Sequence, residues 1–190
     1  MNNKINESFY LKPLNEADVF IELSKLKENK SAGPDEIRPK LAKKCKEQFS
    51  IPLTILYNKS IEKAVYPSSF KLAKVIALFK KHSRFLPSNY RPISLLNCFD
   101  KVFEKLIHKQ MIAFIDKHKI LYVKQYGFRQ GFSTTLALID VVDNIKWAID
   151  NGEYAIGIFL DVEKAFDSIN HSILLHKLAH YGFRGHVNSF

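Results

Sequence analysis

The segment at 154–160, YAIGIFL, places the sharpest limit on what this chain can fold into. With Gly157 allowed, 155–160 is the longest apolar run in the sequence, and it stops at Asp161. It is far short of the ~18 residues that a membrane span needs. A short, nearly all-apolar run of this kind predicts a strand buried on both faces. Its C-terminal Asp161 then sits at the tip of a rigid element, followed by a turn and a helix.

The flanking pattern is mostly helical. Asn15 precedes a stretch with Val19, Leu23 and Leu26 at helical spacing, a capped amphipathic helix that Gly33-Pro34 terminates. A short basic helix is expected at about 40–46. Ser50 with Pro52 just inside predicts a third helix, ending near Ala64 before Tyr66-Pro67. The pattern changes at Ala73: AKVIALF reads as a strand, KKHSRFLPSN as a basic loop and YRPISLL as a second extended segment, together a hairpin. Asn97 caps a long helix at about 99–117. Ser133 caps another, with Leu136, Ile139, Val142, Ile145 and Ile149 as its apolar stripe and Gly152 near its end. A last helix at about 171–181 closes at Gly182. Several helices and a few short strands outside a βαβ rhythm give an α+β class. At 190 residues the chain is one domain or part of a larger one.

Charge is distributed unevenly. The net charge is +10, and 51–99 alone carries eight basic residues against Glu62. That third of the chain suits phosphates, although a solvated lysine-rich surface would look the same. The polar opening MNNKINESFY is no secretory signal, so a soluble, intracellular protein with no membrane partner is expected. Cys45 and Cys98 lack CxxC spacing and are expected to be buried apolar residues, neither a disulfide nor a zinc site.

Taken alone, Asp161 reads as a turn cap more readily than as a ligand for a hard cation. Its neighbours add to this. FLDVEKAFDSINH resembles motif A of reverse transcriptases, in the form used by retrotransposons without long terminal repeats. SAGPDEI resembles the family's glycine-proline-aspartate turn, and FKLAKVIALFKKHSRFLPSNYRPISLL its two finger strands. QYGFRQGFSTTLALI resembles the segment that precedes motif A by one helix. The four follow in the family's order across about 24–183, with wording nearest jockey-like elements. AFDSINH and SAGPDEI fit group II intron proteins and telomerase less well.

The resemblance implies a partial right-hand polymerase fold. Residues of about 1–150 would form the fingers and connecting helices, and 151–190 the start of the palm. It also implies RNA-templated DNA synthesis with two divalent ions, Mg²⁺, bracing an in-line displacement at the nucleotide's α-phosphate. RNA template, DNA primer and deoxynucleoside triphosphates are the implied partners. Position by position, Asp161 resembles the first metal carboxylate, and the Val162 carbonyl would add a metal contact. Lys164 and Ala165 would present backbone N–H groups to the triphosphate. Phe166 resembles the steric gate against a ribose 2′-hydroxyl, and is otherwise a core aromatic. Asp167 reads as a turn cap. Lys80 and Arg91 resemble the pair that grips the triphosphate, Arg through its planar fork. Lys81 could take the place of Lys80, while Lys81 and Arg84 also read as solvated loop charges. Gly127, Phe128 and Arg129, with Ser133 and Thr134, resemble a segment near the template, although Ser133 is equally a helix cap.

The sequence departs from the family in lacking any Tyr/Phe-x-Asp-Asp. The glycine-containing motif B helix, the remaining palm strands and the thumb are not found either. The expectation is of a truncated copy that does not polymerise by itself. Its apolar strand would aggregate or call for a complementing polypeptide. The alternative function is a non-catalytic basic RNA-binding module, whose affinity would fall steeply with salt.

Overall fold

Short polar side chains fix where most of the helices begin. The computed structural model describes residues 4–81, 83–163 and 165–189. Helix α1, Glu16–Ser24, starts where Asn15 Oδ1 accepts from the Asp18 N–H at 2.8 Å, with Glu16 and Asp18 complementing the helix dipole. Helix α2, Pro39–Lys44, opens on a proline whose missing N–H costs nothing there. Helix α3 is Lys46–Lys63. Helix α4, Cys98–Lys117, is capped by Asn97 onto the Asp100 N–H at 3.0 Å. Helix α5, Thr134–Asp150, is capped by Ser133 onto Leu136 at 3.2 Å. Helix α6, His171–His180, is capped by Asn170 onto Ile173 at 3.2 Å, and α7 is His186–Ser189. Strands β1, Lys74–Phe79, and β2, Tyr90–Leu95, pair antiparallel as the expected hairpin. A mixed helical structure with one small sheet is the result.

One helix begins earlier than the sequence suggests. Ser50 does not cap α3, and Pro52 lies well inside it. The buried Ser50 hydroxyl instead donates to Glu16 Oε1 at 3.0 Å, tying α3 to α1. Packing against α1 and α4 outweighs the bond that Pro52 removes.

The main core lies between α1, α3 and α4. Val19 and Leu23, Leu53 and Tyr57, and Val102, Phe103 and Leu106 meet there with Phe70. The Tyr57 ring stacks on Phe103 at 4.4 Å, and its hydroxyl donates to the Phe99 carbonyl at 2.7 Å. Buried carboxylates are partnered: Glu22 by Lys25 at 3.0 Å and by Lys109, and Asp100 by the Tyr66 hydroxyl. Gly33 packs directly on the backbone of Asn97, so the glycine-proline turn abuts the start of α4. Both cysteines are free; Cys98 is buried, its thiol pushed up to about 11 chiefly by burial, whereas Cys45, also expected to be buried, is half-buried between α2 and α3.

A second cluster joins distant parts of the chain. Phe9, Phe114, Ile120 and Phe183 pack together, and the Phe9 N–H donates to the Gly182 carbonyl at 2.8 Å. Arg184 reaches back to the Ile5 and Asn6 carbonyls and to Ser8 Oγ.

The expected strand at 154–160 is not formed. Residues 153–162 carry no regular structure, and Ile158 and Leu160 are 81% and 91% exposed instead of buried. The reason is pairing: β1 and β2 are the sheet among the described residues, and they pair with each other. A strand without a ladder partner has nowhere to satisfy its backbone polar groups except water. The apolar residues expected to form the stripe of α5, Leu136, Ile139, Val142, Ile145 and Ile149, are likewise uncovered. No described helix is long and apolar enough to cross a membrane.

Candidate nucleotide and template site

The hairpin register decides which side chains share a face. Cross-strand pairs run Lys74–Leu95, Ile76–Ile93 and Leu78–Arg91 on one side. Val75–Ser94, Ala77–Pro92 and Phe79–Tyr90 occupy the other. The ladder continues one residue further, where the Lys80 N–H donates to the Asn89 carbonyl at 2.8 Å. Alternation therefore puts Lys80 on the Arg91 side, and Lys81 lies in the bend that follows. Lys80 and Arg91 are exposed, and neither makes an ion pair among the described residues.

The same face descends into a groove that the sequence reading missed. A cavity of about 650 Å³ between the SAGPDEI turn and the base of the hairpin is lined by Lys30, Arg38, Lys40 and Lys74, beside Ile76 and Leu95. Glu28 and Glu36 also border it, and Glu28 pairs with Lys43 at 3.7 Å. Basic residues on both sides of the glycine-proline turn were the available signal.

Asp161 is exposed and has neither hydrogen bond nor ion pair among the described residues. Val162 beside it is exposed, and Lys164 lies outside the described residues. Ala165 sits in an exposed turn, its carbonyl accepting from Ser168 Oγ at 3.2 Å. Phe166 is 75% exposed and meets Phe128 edge-to-face, ring centroids 6.1 Å apart at 90°. Two expected site residues from different segments are thus brought together. Phe128 has φ 58°, next to an exposed Gly127. Arg129 is held locally, its guanidinium 4.0 Å over the Phe132 ring and donating to the Tyr122 carbonyl at 3.3 Å. Lys124 anchors this connector to Asp140 of α5, and that hydrogen bond holds the Asp140 carboxyl below its usual range. No hydrogen bond, ion pair or ring contact among the described residues joins Lys80 or Arg91 to Asp161 or Phe166.

Residues 79–190 match the family described as reverse transcriptase (RNA-dependent DNA polymerase). The chain belongs to the reverse transcriptase family. It is 28% identical over 179 residues to a probable RNA-directed DNA polymerase from transposon BS of Drosophila melanogaster, covering 94% of this chain and 20% of that protein. Against the probable RNA-directed DNA polymerase from transposon X-element of the same fly, identity is 31% over 90% of this chain and 19% of the relative. Against the RNA-directed DNA polymerase from mobile element jockey, it is 31% over 82% and 17%. This reverse transcriptase domain therefore groups with non-LTR retrotransposon polymerases, and it spans about a fifth of the length of the curated relatives it matches.

Reverse transcriptases generally use divalent metal. The donors in this chain do not fit a pair of such ions. Among the described residues no group of three or more His, Cys, Asp or Glu side chains is placed to hold a metal ion. Two dications at bridging distance need more anionic oxygen than one carboxylate supplies.

Proposed function

We propose that this chain is the fingers and the first part of the palm of a right-hand RNA-directed DNA polymerase. Residues of about 1–150 supply the fingers and connecting helices, and 151–190 begin the palm. The intact enzyme copies an RNA template onto a DNA primer from deoxynucleoside triphosphates. Its proposed ion is Mg²⁺, to which Asp161 and the Val162 carbonyl would contribute oxygen.

The observation that supports this best is the hairpin register. It puts Lys80 and Arg91 on one exposed face, with no carboxylate among the described residues paired with either. Two free cations on a rigid two-stranded element suit a triphosphate: Lys acts as a point charge, and Arg bonds two oxygens at once. Lys164 and Ala165 are proposed to add backbone donors. Phe166, with its ring propped by Phe128, is proposed to exclude the ribose 2′-hydroxyl. Gly127, Phe128 and Arg129 are placed beside the template in this reading. A complementing polypeptide would cover the uncovered apolar segment at 154–160.

Titrating a deoxynucleoside triphosphate against the chain, with RNA binding measured in parallel, tests the reading. Saturable triphosphate binding should weaken at least several-fold in Lys80→Ala and in Arg91→Ala, and not in Lys27→Ala. RNA binding that persists without any triphosphate binding would replace this reading with a basic RNA-binding module.

A further inference from the structure

The hairpin has a second functional face. We propose that Phe85 and the groove beside it stack an unpaired base of single-stranded nucleic acid, with Arg84 nearby for the adjoining phosphate. This rests on the nucleic-acid reading above and adds a binding element to it.

Phe85 is 95% exposed, an unusual position for a phenylalanine, yet the loop that carries it is tied down. The Phe85 N–H donates to Ser83 Oγ at 3.3 Å, Asn89 Nδ2 donates to the Ser83 carbonyl at 2.7 Å, and the Tyr90 hydroxyl donates to the Arg84 carbonyl at 2.9 Å. Loop and strands line an open groove of about 380 Å³, to which the strands contribute Val75, Ala77, Tyr90 and Pro92 and the loop Phe85 and Pro87. Arg84 completes the lining, its guanidinium carbon 5.2 Å from the centre of the Phe79 ring. Val75, Ala77, Phe79, Tyr90 and Pro92 belong to the hairpin side opposite Lys80 and Arg91. The groove is therefore separate from the proposed triphosphate grip.

Its charge selects the occupant. No Asp or Glu occurs between Glu62 and Asp100, and the loop carries Lys80, Lys81 and Arg84. An exposed aromatic ring beside an apolar groove, with the Arg84 guanidinium in the lining and no acidic residue in the surrounding sequence, matches a π-faced base on a phosphate backbone. An apolar protein anchor would fit the groove but would gain nothing from the cations.

The test uses the whole chain and a fluorescent single-stranded RNA of about a dozen nucleotides, read by anisotropy over a range of salt. Phe85→Ala should raise Kd roughly 5- to 150-fold while leaving the salt slope alone, because the ring carries no charge. Phe85→Trp should retain affinity, with the added tryptophan emission quenched by RNA. Arg84→Ala should lower the salt slope by about one. Blunt duplex RNA, with no base to offer, should bind wild type and Phe85→Ala alike. Unchanged single-strand affinity in Phe85→Ala with no quenching in Phe85→Trp refutes the stack and leaves the nucleic-acid reading standing. Equal weakening toward blunt duplex also refutes it. A wild-type chain that binds no RNA refutes both.

Discussion

Gly33→Ala separates a glycine needed for close approach from one needed for backbone conformation. An added Cβ would lie 2.5 Å from Asn97 N, 2.6 Å from its Cα and 2.7 Å from the Leu96 carbonyl carbon. These are backbone atoms, so no side chain can swing away. The only relief is to push the turn off α4 by roughly half an ångström or more, toward ordinary contact. Asn97 is buried and caps α4, accepting from the Asp100 N–H, so that displacement also strains the cap. Overpacking costs about 1–3 kcal/mol and a damaged cap about 1, giving a total of about 2–4 kcal/mol. With a slope of about 2 kcal/mol/M, the urea midpoint should fall by roughly 1–2 M. Gly127→Ala is the control: nothing lies within 4 Å of its added Cβ, and its φ is not positive. It should be neutral or slightly stabilising. Gly131→Ala, with open space but φ +80°, should cost about 1 kcal/mol. Unfolding followed by circular dichroism distinguishes the three. A Gly33→Ala midpoint no lower than that of Gly127→Ala would refute the close-approach argument.

Glu22→Gln should flatten the acid limb of stability. Burial pushes the Glu22 carboxyl up, but the bonds from Lys109 and Lys25 outweigh it and hold it below its usual range. Its contribution is therefore present above the unfolded value of about 4.3 and lost as pH falls through the lower folded value. At neutral pH the variant should lose about 1–2 kcal/mol, a figure discounted because Lys25 and Lys109 are 56% and 53% exposed. The comparison must be wild type against variant. Asp100 and Glu104, both raised first of all by burial, contribute with the opposite sign and weaken the fold as pH rises through their folded values. A variant whose urea midpoint tracks that of wild type from neutral to acid pH would count against the ion pair. Primer extension by this chain alone with Mg²⁺ should give no product, and Asp161-dependent incorporation would overturn that expectation. Chymotrypsin should cut first within 154–160, and Ile158→Lys should reduce concentration-dependent association. A monomer that resists cleavage there would contradict the exposure of the segment.

Much of the helical framework was legible because its signals are local. Asn15, Asn97 and Ser133 each bond an N–H three residues on, an interaction contained within four residues of sequence. Ser50 looked equally good as a cap and was not one. Its hydroxyl is shared between the Glu47 carbonyl of its own helix and Glu16, thirty-four residues away, a partner that no local pattern reveals. The cluster of Phe9, Phe114 and Phe183 was invisible for the same reason. Nothing in MNNKINESFY announces that Arg184 will fold back onto it.

The site divides along the same line, and the division has a functional consequence. β1 and β2 are each other's partner and lie within one short stretch, so the hairpin forms and the positions of Lys80 and Arg91 follow from its register. YAIGIFLDV has stronger strand chemistry than either, yet it forms no ladder, because a strand is a relation between two segments and no described segment pairs with it. Apolar composition states what a segment should be next to, not that the neighbour is there. The hairpin's cations and Phe85 should therefore engage phosphates and bases with the structure as it stands. The setting of Asp161, by contrast, should sharpen only when a partner strand orders 154–160. Adding a polypeptide that supplies such a strand should protect 154–160 from chymotrypsin and leave the RNA affinity of the hairpin within about twofold. Protection accompanied by a large change in RNA affinity would show that the two halves of the site are coupled, contrary to this argument.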